Sequence, residues 1–264
     1  MDRLFDSVLV RTPSTSYVHC VSSNPDKSNI DLQLARTQHQ SYVSILKENH
    51  IKVVELPPCE TYPDSVFMQD PAVLGIRRSI IGRFGEKSRR GEELKLVSEL
   101  YQLEQLKDSD RLEIESPGTL EGGDIMITDQ KELFVGQSSR TNSVGIIQLR
   151  NLFHDSKVVS VKTDLMHLLC GCSYLNDSTM IITPELVSPL NFPGLRYVKL
   201  SKEDAYASDA LYLGNRRVLI PSGYPNASQK LMEAGYSPVE VDISEFHKGD
   251  GGVTCLCSPI YGIL

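Results

Sequence analysis

The sequence predicts an α/β fold, a five-bladed pseudo-symmetric α/β propeller of ββαβ modules occupying residues 1–264 as one domain. Three observations lead there. A short apolar strand, a tight polar turn and a second apolar strand recur along the chain, usually with a helix-like stretch and a further strand behind them. The units repeat about every 40–50 residues, the spacing of a propeller or stacked array. The frequent hairpins also argue against the rival architecture, a doubly wound sheet of parallel strands.

Taken in order, residues 6–11 read as a strand, 31–47 as an amphipathic helix and 51–56 as an outer strand. The inner strand that this set lacks is found at the other end of the chain, at 253–257, so both termini would close one module. Strands 72–76 and 79–82 flank the turn Arg77-Arg78, with a helix at 92–103. Strands 124–128 and 132–136 flank Asp129-Gln130-Lys131, followed by a helix at 141–153 and a strand at 157–161. Strands 173–175 and 180–183 flank Asn176-Asp177-Ser178. Strands 210–213 and 218–221 flank residues 214–217, with a helix at 226–234 and a strand at 238–241. Val, Ile and Leu runs around Asn, Asp and Gly turns are hairpin signals. Five such copies in a ring would bring the inner strands to a central axis.

Composition narrows the function classes. With 264 residues, 40% hydrophobic and 23% charged, the chain is an ordinary globular protein. The formal net charge of −7 speaks against nucleic acid as the main partner, because phosphate binding needs clustered Lys and Arg. No apolar run approaches the roughly 20 residues that span a bilayer, so no membrane partner is expected. The segment Met1-Asp2-Arg3-Leu4-Phe5-Asp6 has no basic region leading into a long apolar core, and a cytoplasmic location is the expectation. Six cysteines in a chain of this length fit reduced thiols better than a disulfide framework.

Four scattered segments carry chemistry. They are Asp64–Pro71, Thr119–Asp124, the lone His167, and Gly251-Gly252-Val253-Thr254-Cys255. Cys255 follows a glycine-rich approach of the kind that lets backbone come close to a ligand. Cysteine is also among the most buried residue types, and a plain core role suits Cys20, Cys59, Cys170 and Cys172. Cys257 stands two residues on, in the same expected strand and therefore on the same face, so periodicity does not choose between it and Cys255. His167 lies in an apolar run where a core histidine would also be at home; its imidazole could serve as general acid and then base. His19, His39, His50, His154 and His247 stand in polar or helical contexts. Glu121 before Gly122-Gly123, and Asp70 before Pro71, are each explicable as turn residues. Their joint occurrence with Cys255 and His167 is what suggests a site. A zinc centre built from the pairs Cys170/Cys172 and Cys255/Cys257 with His167 matches the usual ligand spacing poorly.

In order and spacing, nearly the whole chain resembles the dimethylarginine dimethylaminohydrolases, members of the guanidine-modifying pentein superfamily. The matching residues are Val10–Pro13, Gln38-His39, Asp64–Asp70, Ser88-Arg89-Arg90, Glu121–Asp124, Phe134-Val135-Gly136, Ser139–Asn142, His167 and Asp250–Cys255. The resemblance implies a five-bladed α/β propeller and a role for each matching position. Cys255 would be the nucleophile, His167 the acid/base and Glu121 its orienting carboxylate. Asp70 would grip the guanidinium, with Gln69 beside it. Arg89 and Arg140 would bind the substrate α-carboxylate, and Asp64 its α-amino end. Residues 14–27 would form a lid touching the substrate near Val21. Many members carry Glu where this chain has Gln69, which bears on the N-substituents accepted.

The reaction these parts imply is cysteine-dependent hydrolysis of a guanidino group through a covalent S-alkylthiouronium. The expected substrate is N-omega-methylated arginine, giving citrulline and an amine. The alternative is arginine deiminase-type release of ammonia from unmethylated arginine. A propeller that binds a cationic amino acid without turnover is the rival from another class. No metal or organic cofactor is implied, the partner is a small guanidino molecule, and a homodimer is compatible with the family.

Overall fold

The computed structural model describes residues 2–75, 78–103, 111–153 and 156–264. Five three-stranded blades are present among them. In each, an inner strand runs antiparallel to a middle strand, which pairs in parallel with an outer strand. The first blade joins β1 (Phe5–Arg11) and β2 (Lys52–Leu56), linked by helix α1 (Leu32–Glu48). The second holds β3 (Ala72–Gly75), β4 (Ser79–Ile81), α2 (Glu92–Gln102) and β5 (Arg111–Glu113). The third holds β6 (Ile125–Ile127), β7 (Glu132–Gln137), α3 (Ser143–Leu152) and β8 (Lys157–Lys162). The fourth has β9 (Cys172–Tyr174), β10 (Thr179–Ile182) and β11 (Arg196–Lys199). The fifth has β12 (Leu211–Gly214), β13 (Arg217–Pro221), α4 (Pro225–Glu233) and β14 (Ser237–Val241). A short helix α5 (Ser244–His247) then leads to β15 (Cys257–Tyr261), the inner strand of the first blade.

The chain therefore closes through its ends as the repeat predicts. Val8, Leu9 and Val10 of β1 face Pro259, Ser258 and Cys257 of β15. The blades do not merge into a continuous barrel. β15 pairs with β3 through Ile260–Leu74 and Tyr261–Gly75, which fuses the first two blades into one six-stranded sheet. The other three blades keep separate sheets.

Helix α1 shows why the outer layer forms. Asp31 caps it by accepting from the amides of Gln33 and Leu34, and Ala35, Gln38, His39, Tyr42, Val43 and Leu46 line its buried face at helical spacing. That face packs on Val8, Val10, Leu219 and Val241. Burial of a residue such as Leu46 contributes about 1.5–3 kcal/mol. No described helix is long and apolar enough to cross a membrane.

Two expectations need correction. The fourth blade is not ββαβ: a single 3-10 turn, Pro189–Asn191, replaces the helix. Pro184, Pro189 and Pro193 fall in this connection, and each removes a backbone donor that a helix interior needs. The inner strand of the first blade also starts at Cys257 and not at residue 253. Thr254 gives its amide to the Asp209 carboxylate at 2.8 Å, and the Cys255 carbonyl accepts from the Gln69 amide at 3.3 Å, so neither group enters the sheet ladder. Cys255 and Cys257 consequently do not share a strand face. Ile76 and Arg77, from an expected strand end and turn, and His154 lie outside the described residues.

Candidate active site

The candidate residues come together because every blade delivers one loop to the same end of its inner strand. Asp70, Asp209 and Cys255 each stand two residues ahead of β3, β12 and β15. Glu121 stands four residues ahead of β6, and His167 five ahead of β9.

Glu121 and His167 form a buried pair at the centre of the site. His167 Nε2 is 2.8 Å from Glu121 Oε2, and its Nδ1 lies 3.8 Å from Asp70 Oδ1. Glu121 is fully buried; its Oε1 accepts from the Gly85 amide at 2.9 Å and its Oε2 from Arg140 at 3.4 Å. Burial pushes the Glu121 carboxyl up, but the His167 hydrogen bond and the charges of His167, Arg89 and Arg140 outweigh it and hold the group well below the usual carboxylate range. Burial alone would lower the imidazole. The Asp70 charge and the Glu121 hydrogen bond reverse this and raise His167 to about 9. The glycines in this motif make the geometry possible. A Cβ on Gly123 would sit 2.8 Å from the imidazole ring and 2.9 Å from Asp70 Oδ1.

Asp124, not singled out from the sequence, fixes the same loops. It accepts from the Leu168 amide at 2.9 Å and the Ser138 hydroxyl at 2.7 Å, tying down the segments that carry His167 and Arg140. The signal was available, since Asp124 closes the Glu121-Gly122-Gly123 motif.

Asp70 is buried, and Arg89 donates to its Oδ2 at 2.6 Å. Its Oδ1 has no hydrogen-bond partner, nor has the Oε1 of buried Gln69. Each orphaned acceptor costs about 1–3 kcal/mol, and Asp70 Oδ1, beside the imidazole, suits a ligand rich in N–H donors; Gln69 lines a small cavity with Leu169, Ser173 and Thr254. Arg89 itself is heavily committed. It forks onto Glu92 at 3.0 and 2.9 Å, reaches the Asp64 carbonyl at 3.4 Å and stacks over Phe84. It thus acts first on Asp70, which the expected pairing with a substrate carboxylate did not foresee; Glu92 was missed altogether. Arg140 is freer: among the described residues its guanidinium bonds Glu121 and the Met166 sulfur. Asp64 receives the Val21 amide on both oxygens at 3.1 and 3.0 Å, and burial raises its carboxyl against the pull of Arg89. The same strap is stitched down by Ser22 to the Lys248 carbonyl and by Ser23 to Asp250.

Cys255 is partly exposed, and its thiol lies 3.8 Å from Asp209 Oδ2. Removal from bulk water, then the charges of Asp209 and Asp70, push the thiol well above its ordinary value. Asp209 in turn lines a cavity of about 240 Å³, together with Met166, Cys170, Tyr206, His247 and Gly252.

Asp70, Glu121 and His167 are the described residues whose ligand atoms crowd closely enough, within 4.8 Å, to share a metal ion. Their chemistry suits one poorly, because Nε2 already bonds Glu121 and two arginines touch the carboxylates. No cysteine belongs to that group, which removes support for the zinc arrangement.

The family model described as N,N dimethylarginine dimethylhydrolase, eukaryotic, matches residues 11–188. The N(G),N(G)-dimethylarginine dimethylaminohydrolase of Pseudomonas aeruginosa is 35% identical over 96% of this chain and 98% of that protein. A mutant of the Pseudomonas aeruginosa enzyme complexed with citrulline matches with a TM-score of 0.88 at 33% identity, covering 98% of this chain and 100% of that one. A dimethylarginine dimethylaminohydrolase adduct with S-methyl-L-thiocitrulline matches equally, with a TM-score of 0.88, 32% identity and coverage of 97% and 100%.

Proposed function

Because the chain belongs to the dimethylarginine dimethylaminohydrolase family, we propose that Cys255, His167 and Glu121 carry out its reaction. The protein is a hydrolase of C–N bonds in linear amidines, converting methylated arginine to citrulline and an amine. The observation that carries the residue assignment is the buried His167–Glu121 pair set beside the unpartnered Asp70 Oδ1, at a site whose thiol is partly open.

The guanidinium enters with its N–H groups on Asp70, which turns an orphaned acceptor into a charge-assisted hydrogen bond. Arg140 takes the α-carboxylate, and Asp64 with the Val21 backbone takes the α-amino end. The arriving positive charge offsets Asp70 and Asp209, so the Cys255 thiol releases its proton to solvent. The thiolate attacks the guanidinium carbon. His167, protonated at neutral pH, gives its proton to the departing amine, leaving a thiouronium on sulfur. The neutral imidazole then takes a proton from water, whose oxygen adds to the same carbon and expels the thiolate with citrulline. Arg89 works from behind by fixing Asp70. All six cysteines are free thiols, which supports a cytoplasmic enzyme.

A citrulline assay with asymmetric dimethylarginine, monomethylarginine and arginine tests this reading. Turnover of the methylated forms is expected; ammonia release from arginine alone would replace it with the deiminase reading, on which Gln69 bears.

A further inference from the structure

Four blades supply a chemically competent residue just ahead of their inner strands: Asp70, Glu121, His167 and Cys255. The fifth supplies Asp209 at the same place, two residues before β12. Its carboxylate is buried, with Oδ1 fixed by the Thr254 amide at 2.8 Å. Oδ2 faces the Cys255 sulfur at 3.8 Å. Among the described residues, the other carboxylates close to the sulfur or the imidazole are satisfied: Asp124 accepts from the Leu168 amide and the Ser138 hydroxyl, and the remaining two have cationic partners. Asp70 has Arg89, while Glu121 has Arg140 and His167. Asp209 forms no ion pair with a described Lys, Arg or His side chain, and burial pushes its carboxyl up to about 6. A buried carboxylate without a counterion is costly unless something arrives to pair with it. Gly252 makes room for it, because a Cβ there would lie 2.1 Å from Oδ2.

We propose that Asp209 is a further substrate-binding residue of the reaction assigned above, holding the guanidinium from the sulfur side while Asp70 holds it from the imidazole side. The sulfur senses both carboxylates, Asp209 more strongly than Asp70. A planar cation centred over Sγ meets Asp209 Oδ2 with one of its nitrogens. That nitrogen must keep an N–H, so the contact reads the substitution pattern of the guanidine. The lining of the adjoining cavity places the Asp209 carboxylate within reach of an entering ligand.

The proposal rests on the functional reading, and the test separates the two. In a Cys255→Ser background, calorimetric titration with monomethyl-L-arginine, a cation, and L-citrulline, its neutral counterpart, is compared with and without Asp209→Asn. The isosteric amide is expected to weaken the cation about 30- to 100-fold and citrulline less than about 3-fold, the loss of one charged hydrogen bond. Asp209→Ser, with its unfolding temperature recorded, serves if the amide variant folds poorly. Unchanged affinity for both ligands, or equal loss of both, overturns the role of Asp209. Failure of the wild-type chain to form citrulline from monomethylarginine overturns the functional reading and the proposal with it.

Discussion

His167 Nε2 meets Glu121 Oε2 at 2.8 Å while Asp70 Oδ1 stands 3.8 Å from the other ring nitrogen, so one imidazole is held between two carboxylates. This relationship sets the protonation state from which the chemistry starts. Glu121→Gln keeps the shape and removes one of the two charges. The His167 titration should then move down toward its ordinary value, with kcat falling about 100-fold, within the usual range for a positioned acid/base. NMR titration of the imidazole checks the first effect; an unmoved titration would detach Glu121 from His167.

The same pair makes stability depend on pH. His167 titrates near 9 in the folded chain against about 6.5 when unfolded. Its raised value contributes stability that is fully present below about pH 6.5 and is lost as pH rises through 9. Thermal unfolding from pH 6 to 10 should show a decline in the wild type that is flatter in His167→Gln. Identical slopes would contradict the assigned shift.

Arg89 and Arg140 should separate cleanly. Arg89→Ala leaves Asp70 and Glu92 buried without their partner, a change worth about 3–5 kcal/mol, and Lys cannot reproduce the two-toothed contact with Glu92. Arg140→Ala should lower the unfolding temperature less, because Glu121 keeps His167 and the Gly85 amide, and should raise KM for amino-acid substrates. Equal losses of stability in both variants would refute this division.

Much of this was legible in the sequence, for physical reasons. Strand–turn–strand units announce themselves through alternating apolar runs and Asn, Asp and Gly turns, which is why residues 124–136 and 210–221 read correctly. The missing helix of the fourth blade was legible too, in Pro184, Pro189 and Pro193, but repeat logic overrode it. The misplaced strand start at 253 had no local signal. Its cause is a distant carboxylate, Asp209, which takes the Thr254 amide out of the ladder. Asp209 and Glu92 went unnoticed because neither lies in a motif; each shows its use only through a partner brought near by folding.

Gln69→Glu places a charge where a buried side-chain carbonyl oxygen now has no partner, at the residue preceding Asp70. The preference among arginine, monomethylarginine and asymmetric dimethylarginine should shift, read as ratios of kcat/KM. Identical ratios would show that position 69 does not read the N-substituent.

Gly252→Ala drives a Cβ into the Asp209 carboxylate and should lower kcat/KM at least about 10-fold while circular dichroism stays native. Wild-type kinetics would mean that the carboxylate has no working position to lose.

The most direct measurement is peptide mass spectrometry after rapid acid quench of the enzyme turning over monomethylarginine. One sulfur is predicted to carry the guanidino carbon still joined to the substrate's amino-acid side chain, the mass of monomethylarginine less methylamine, on the peptide containing Cys255, with Cys255→Ser yielding neither adduct nor citrulline. An adduct on another thiol, or citrulline formed at full rate by the serine variant, would contradict the account at its root.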